Sequence, residues 1–260
     1  MDLTIYQVDA FASKVFEGNP AAVIPLEEWL PDAVMQKIAL ENNLSETAFF
    51  CPGNGNYKIR WFTPLAEVDL CGHATLATAH VLFRHLDYTE DEIRFESRSG
   101  LLTVYKTNDQ IVLNFPASTV EVKYLPASLK TAFNVHPNKC FKGREDLMLV
   151  FKNEQEIQKL QPNFMKIGEA TKRGVICTAP SDKYDFVSRF FAPAVGIDED
   201  PVTGSAHTML IPYWADQLKK TELVAKQISN RGGILYCKHL GERVEIGGNA
   251  KTYLIGKITI

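Results

Sequence analysis

The spacing of hydrophobic and polar positions changes several times along the chain, and each change marks an element. Residues 3–11 and 21–25 read as strands on either side of a Gly18-Asn19-Pro20 turn. From Pro31-Asp32 to Asn42-Asn43, apolar Val34, Ile38 and Leu40 among polar residues predict a helix with Asp32 near its N-cap. Short strands are expected near 46–51 and 57–62. The stretch from Ala74 to Leu86 is helix-length and apolar on most faces, which predicts a buried helix. Strands at 93–97, 101–106 and 110–115 follow, the last two joined by a polar turn at Thr107-Asn108-Asp109. The order then repeats: a helix near 153–160, strands near 174–179 and 185–191, and an apolar helix from 206. Strands near 226–229, 233–238 and 243–246 close the pattern. Pro212 lies inside the second apolar helix, where a kink or an early stop is expected. One buried helix among strands in each half describes an α+β unit whose sheet wraps around that helix.

The repetition extends to residue identities. Arg60-Trp61-Phe62-Thr63-Pro64, an acidic loop with Glu67 and Asp69, and Cys71-Gly72-His73-Ala74-Thr75 are matched further on. Their counterparts are Arg189-Phe190-Phe191-Ala192-Pro193, a loop with Asp198, Glu199 and Asp200, and Thr203-Gly204-Ser205-Ala206-His207. Gly72 to Gly204 is an offset of 132, and Gly100 to Gly233, in a second echoed segment, is 133. Self-similarity at half the chain length means two copies of one unit, not a solenoid with a period of roughly 20–50 residues. The halves are placed at 1–116 and 117–251, with a strand at 252–260 expected to cross back to the first. Pro116, Pro126 and Pro137 mark the seam. Two like halves can face each other across a cleft, where small-molecule sites often lie.

Composition removes several function classes. The chain of 260 residues has 28 basic and 31 acidic residues, a net charge of −3, and no basic stripe. Neither nucleic acid nor an anionic membrane surface is an expected partner. Cysteines 51, 71, 140, 177 and 237 are odd in number and scattered, with no C-x-x-C pair. A disulfide framework or zinc motif is not expected, and a cytoplasmic location is. The first residues lack a basic region followed by an apolar run, and no apolar run approaches the roughly 18 residues of a membrane span.

The chemistry is expected at the duplicated glycine turns. Gly72, His73, Gly204 and Ser205 open apolar helices, whose first N–H groups and positive dipole end attract anions. Each glycine alone is also explained by a tight turn; the shared neighbours favour a binding role, with a substrate carboxylate as the ligand. One feature breaks the symmetry. Counting back from Pro64 and Pro193 with one gap, Glu46 lies opposite Gly174. A carboxylate leading into the apolar Thr47-Ala48-Phe49-Phe50 is placed where a general acid or base could work, although a solvated or capping glutamate fits the spacing equally well.

Several segments together resemble the phenazine-biosynthesis PhzF family. They are Gly18-Asn19-Pro20, Asn43-Leu44-Ser45-Glu46-Thr47-Ala48-Phe49, Phe62-Thr63-Pro64, Cys71-Gly72-His73-Ala74-Thr75-Leu76 and Glu199-Asp200-Pro201-Val202-Thr203-Gly204-Ser205-Ala206-His207. They stand in the family's order across nearly the whole chain. The resemblance implies the diaminopimelate-epimerase fold: two similar halves, each a small β-sheet barrel around a central helix, with the active site in the cleft between them. It implies a cofactor-independent isomerase, often a homodimer. By motif, Glu46 matches the family's acid/base glutamate, and His73, Asp200 and Ser205 match its other active-site positions. Gly72 and Gly204 match its helix-opening turns. The resemblance does not fix the substrate beyond a small carboxylic acid.

No metal is expected, because the six histidines form no H-E-x-x-H or similar cluster. A one-thiol racemase or dehydratase using Cys71 is the alternative chemistry, since the fold also houses two-thiol epimerases. The repeat puts Thr203, not cysteine, opposite Cys71, so paired thiols are not expected. A non-catalytic metabolite-binding protein on the same fold is the alternative outside enzymes.

Overall fold

The computed structural model describes residues 1–107 and 110–260. Asn108 and Asp109 of the expected polar turn therefore lie outside the described residues. The chain divides into two compact units, Met1–Asn114 with Gly247–Ile260, and Phe115–Ile246. The returning segment thus begins at Gly247, five residues before the strand that the sequence pattern placed there.

The first unit contains β1 (Asp2–Ala10), β2 (Asn19–Pro25), α1 (Asp32–Asn42), β3 (Glu46–Pro52), β4 (Tyr57–Phe62), β5 (Glu67–Val68), α2 (Gly72–His85), β6 (Glu92–Ser97), β7 (Gly100–Thr107) and β8 (Gln110–Pro116). Strand β1 pairs antiparallel with β2, and β2 runs parallel to β3 with α1 as the crossover. Strand β3 pairs antiparallel with β4, and β4 runs parallel to β6, which begins an antiparallel β6–β7–β8 run. Helix α2 is buried from Gly72 through Leu82 and packs on β1, β2 and β3. Small Ala74, Ala77 and Ala79 let the strands approach it, while Leu76, Val81 and Leu82 fill the space between. Each such large apolar side chain contributes about 1.5–3 kcal/mol on full burial. Two buried threonines on α2 satisfy their hydroxyls on the preceding turn: Thr75 Oγ1 donates to the Cys71 carbonyl, and Thr78 Oγ1 to that of Ala74 at 2.8 Å.

Asp32 lies beside the N-cap, as the pattern suggested, but its side chain does not cap the helix. Helix α1 begins at Asp32 after Pro31 with no side-chain cap, and the Asp32 carboxylate accepts from Arg60 Nη1 at 2.8 Å. A residue already inside the first turn lies beyond the N-cap position, and proline before it pre-sets the entry.

The second unit contains β9 (Glu121–Val122), β10 (Lys139–Lys142), β11 (Leu147–Val150), α3 (Glu154–Gln158), α4 (Phe164–Ala170), β12 (Val175–Pro180), β13 (Phe186–Ala192), β14 (Ile197–Asp200), α5 (Gly204–Leu218), β15 (Glu222–Gln227), β16 (Gly233–His239) and β17 (Arg243–Gly248). The final strand, β18 (Ala250–Thr259), belongs to the first unit and pairs antiparallel with β1 from Asp2↔Thr259 to Ala10↔Ala250. Short α4, β10 and β11 escaped the periodicity, being too brief to show it, and β15 lies earlier than the expected 226–229. Helix α5 does not stop at Pro212 but continues to Leu218. Proline lacks the N–H that would reach Thr208, and the Ser118 N–H donates to the Thr208 carbonyl at 3.0 Å instead. The Ser118 and Thr208 hydroxyls add a second bond at 3.0 Å.

Strand register makes the duplication concrete. Thr47 pairs with Phe62 on an antiparallel neighbour, and Val175 pairs with Phe191 in the same way. Glu46 and Gly174 therefore occupy equivalent positions, each one residue earlier. The ion pairs repeat too. Arg60 grips Glu67 with two bonds of 2.7 Å, and Arg189 grips Glu199 with bonds of 2.7 and 2.8 Å. Each guanidinium also lies over the phenylalanine two residues on, Phe62 at 5.2 Å and Phe191 at 4.9 Å. Bidentate pairing fixes both carboxylates to their strands, which is a structural task for Glu67 and Glu199.

Candidate active site

In the first unit a buried polar cluster forms where β2, β3 and α2 begin. Gly18 has φ +68°, and a Cβ there would stand 2.1 Å from the Ala10 carbonyl oxygen, so only glycine makes this turn. The turn delivers Asn19 to the first position of β2, where its Nδ2 lies 3.1 Å from Nδ1 of His73. The parallel β2–β3 register sets Ala21 beside Glu46. Glu46 opens β3 at 9% exposure, and its Oε2 is 3.0 Å from Nε2 of His73. Cys71, in extended conformation at the N-cap of α2, puts Sγ 3.6 Å from His73 Nδ1.

His73 is thus bracketed on both ring nitrogens. With the Asn19 amide group facing Nδ1, that nitrogen accepts and the ring proton sits on Nε2, which lies 3.0 Å from Glu46 Oε2 without hydrogen-bond alignment. Burial disfavours a charged imidazole, yet Cys71 and Glu46 outweigh it and hold the His73 pKa well above its ordinary value. Taking a second proton on Nδ1 requires Asn19 to present its carbonyl oxygen instead. The Cys71 thiol moves the other way for nucleophilic use: burial, followed by the Glu46 charge, pushes its pKa up. A thiol held protonated is a poor nucleophile.

The second unit carries the other predicted residues. Asp200 ends β14 and is buried; Thr203 at the N-cap of α5 donates its hydroxyl to Asp200 Oδ2. Gln227, wholly buried at the end of β15, ties this turn together. Its Nε2 donates to the Asp200 carbonyl at 2.7 Å, and its Oε1 accepts from the Thr203 N–H at 2.9 Å. Ser205, in the position equivalent to His73, accepts from Arg173 Nη2 at 2.7 Å. Arg173 is in turn held by Asp146. Burial pushes the Asp146 pKa up to about 6, although the Arg173 charge acts against it.

The structure therefore brings Glu46, Gly72 and His73 together in one unit and gathers Asp200, Gly204 and Ser205 around one turn in the other. At Gly174, the counterpart of Glu46, a Cβ would lie 2.2 Å from the Phe190 ring, so the second unit has no room for a carboxylate there. Asn19, Arg173 and Gln227 escaped the sequence reading as site residues. Only Asn19 left a signal, through the Gly18-Asn19-Pro20 motif; a glutamine and an arginine acting across distant segments leave none.

Sheet-rich α+β halves with few helices each open a long helix from a glycine turn beside buried polar residues. A family model described as phenazine biosynthesis-like protein matches residues 8–256. The chain belongs to this PhzC-PhzF family. It is 50% identical over 258 residues to a protein of Pseudomonas aeruginosa named as an uncharacterized isomerase, covering 99% of each. Its fold matches the crystal structure of a PhzF-family phenazine biosynthesis protein from Enterococcus faecalis at a TM-score of 0.97, with 48% identity and 100% of both chains covered. A hydroxyproline epimerase from Agrobacterium vitis, 9% identical, shares the fold at a TM-score of 0.66, with 99% of this chain and 92% of that one covered. Among the described residues, no helix is long and apolar enough to cross a membrane.

Proposed function

We propose that this protein is a cofactor-independent isomerase that moves a proton within a small carboxylic-acid metabolite, with Glu46 as the single general acid/base. The observation that carries this reading is the buried Glu46–His73 contact of 3.0 Å. Glu46 as carboxylate takes a proton from one carbon, and as carboxylic acid returns it to another position of the same substrate. A positioned group of this kind contributes about 10²–10⁴ in rate. His73, whose Nε2 lies 3.0 Å from Oε2, orients the carboxylate and can pass the proton on once the ring turns into line. The negative charge left on the substrate is met by N–H groups of the Gly72-His73 turn, a place where preorganised dipoles act strongly. Asp200, Gly204 and Ser205 complete substrate binding in this proposal, and the Gly204-Ser205 turn offers the same kind of donors to a carboxylate. The isomerase names of relatives support the reaction class.

The finer architecture belongs to the same proposal: each unit a small barrel around its long helix, in a cytoplasmic homodimer without nucleic-acid or membrane partners. The thiol alternative is favoured by the 3.6 Å approach of Cys71 to His73, but it requires a thiolate that burial and Glu46 both oppose. Incubation with cyclic and aromatic-precursor hydroxy and amino acids in D₂O tests the reading. Deuterium should enter one of these compounds with no added cofactor; binding of such a compound without exchange would make the protein a binder instead.

A further inference from the structure

We infer that Glu46, Cys71 and His73 also form a site for one divalent cation of the zinc class. The fold places a carboxylate oxygen, a sulfur and an imidazole nitrogen within 4.8 Å of one another, all on buried residues. Chain order hides this set, since the thiol and imidazole come from the start of α2 and the carboxylate from the start of β3. The donor types are those that Zn²⁺ prefers, and the ion has no geometric demand of its own beyond a roughly tetrahedral shell. Zinc bonds of about 2.0–2.3 Å put neighbouring donors about 3.4–3.6 Å apart. Sγ of Cys71 and Nδ1 of His73, at 3.6 Å, already stand at that spacing.

The carboxylate rests 3.0 Å from the other nitrogen of the same ring, so reaching an ion shared with Sγ requires the Glu46 side chain or the His73 ring to turn. Asn19, beside Nδ1, offers a carbonyl oxygen when its amide turns. Binding replaces the Cys71 thiol proton by the ion and sends that proton to solvent, so charge balances without any redox step. The ion would hold the Glu46 oxygens that the proposed reaction needs, making it an inhibitor of turnover rather than a participant. That inhibitory consequence rests on the Glu46 reading; the binding itself does not.

The test uses the full chain, stripped of metal and titrated with Cd²⁺ and Co²⁺ and then with Zn²⁺ in competition. One equivalent should bind with a cadmium–thiolate charge-transfer band in the ultraviolet, and Zn²⁺ should displace it. Cys71→Ala and Cys71→Ser should abolish the band, while Glu46→Gln should keep it and weaken binding by about tenfold or more. Circular dichroism and thermal melts establish that each variant is folded. A band that survives in both folded Cys71 variants would assign the metal to another of the buried cysteines and overturn the site. No band in the wild type would overturn it as well. Deuterium exchange that persists at saturating Zn²⁺ would remove the inhibitory role and leave the binding site, whereas absence of exchange without metal would count against the isomerase reading alone.

Discussion

Nε2 of His73 stands 3.0 Å from Oε2 of Glu46, the one joining the start of a helix to the start of a strand. The contact exists because β3 opens at Glu46 and α2 opens at Gly72, one residue before His73, with both side chains turned to the same buried place. If the imidazole orients the carboxylate, His73→Gln should lower turnover by roughly 10-fold or more with a smaller change in KM. Steady-state exchange rates measure this. A purely structural histidine would instead lower the melting temperature and spare the turnover of the folded fraction.

Gly174 explains why only one half carries a carboxylate at this position. The Phe190 ring fills the space that a side chain would need, with Cζ 2.2 Å from the Cβ position. Gly174→Ala should therefore destabilise the protein by about 1–3 kcal/mol through overpacking, read from the urea midpoint at constant slope. An unchanged midpoint would mean that Phe190 can swing aside, and the asymmetry would need another cause.

Gln227 holds three groups of the Asp200–Thr203 turn from a fully buried position. Gln227→Leu keeps the approximate volume but leaves the Thr203 N–H and the Asp200 carbonyl without this partner. A loss of about 1–3 kcal/mol per unsatisfied group is expected in chemical denaturation. Substrate affinity should weaken as well, if this turn binds substrate.

The stability of the protein should fall in mild acid. Burial pushes His207 down to about 4, and burial followed by His85, Arg84 and Lys251 pushes His80 down to about 4. In the unfolded chain both take a proton below about 6.5, so the unfolded state binds more protons in the window between. Their stabilisation is complete above pH 6.5 and is lost as pH falls through 4, about 3 kcal/mol each. Asp146, raised to about 6 by burial, has the opposite sign: its contribution is present below its unfolded pKa and lost as pH rises through 6. Two histidines outweigh one carboxyl, and His73, raised rather than lowered, adds no slope below 6.5. Urea midpoints at pH 7.5, 5.5 and 4.5 should decline, and His80→Asn should flatten the decline.

Much of the fold was legible because it was written twice. Arg60 with Glu67 and Arg189 with Glu199 recur as sequence and then as matched bidentate pairs, and the glycine turns at 72 and 204 both open long apolar helices. Most strands of six or more residues were expected close to where they lie, whereas four-residue β10 and β11 and the brief α4 were not. Pro212 does not end its helix, and the Thr208 carbonyl that its missing N–H leaves is met by Ser118, far away in sequence. The Glu46–His73 contact was foreseeable only through the motif resemblance, since no spacing rule links positions 46 and 73. The meeting of Cys71 and Asn19 at Nδ1 of the His73 ring follows from no spacing rule, because it depends on where β2 and α2 meet.

In the proposed reaction one carboxylate, and not the neighbouring thiol, carries the proton. Deuterium exchange into the same substrate by Glu46→Gln and Cys71→Ala decides it most directly. Glu46→Gln should lose roughly 10²-fold or more with ligand still bound, and Cys71→Ala should exchange within about tenfold of wild type, since a thiol protonated by burial contributes little. Abolished exchange in Cys71→Ala together with retained exchange in Glu46→Gln would contradict it and transfer the chemistry to the thiol.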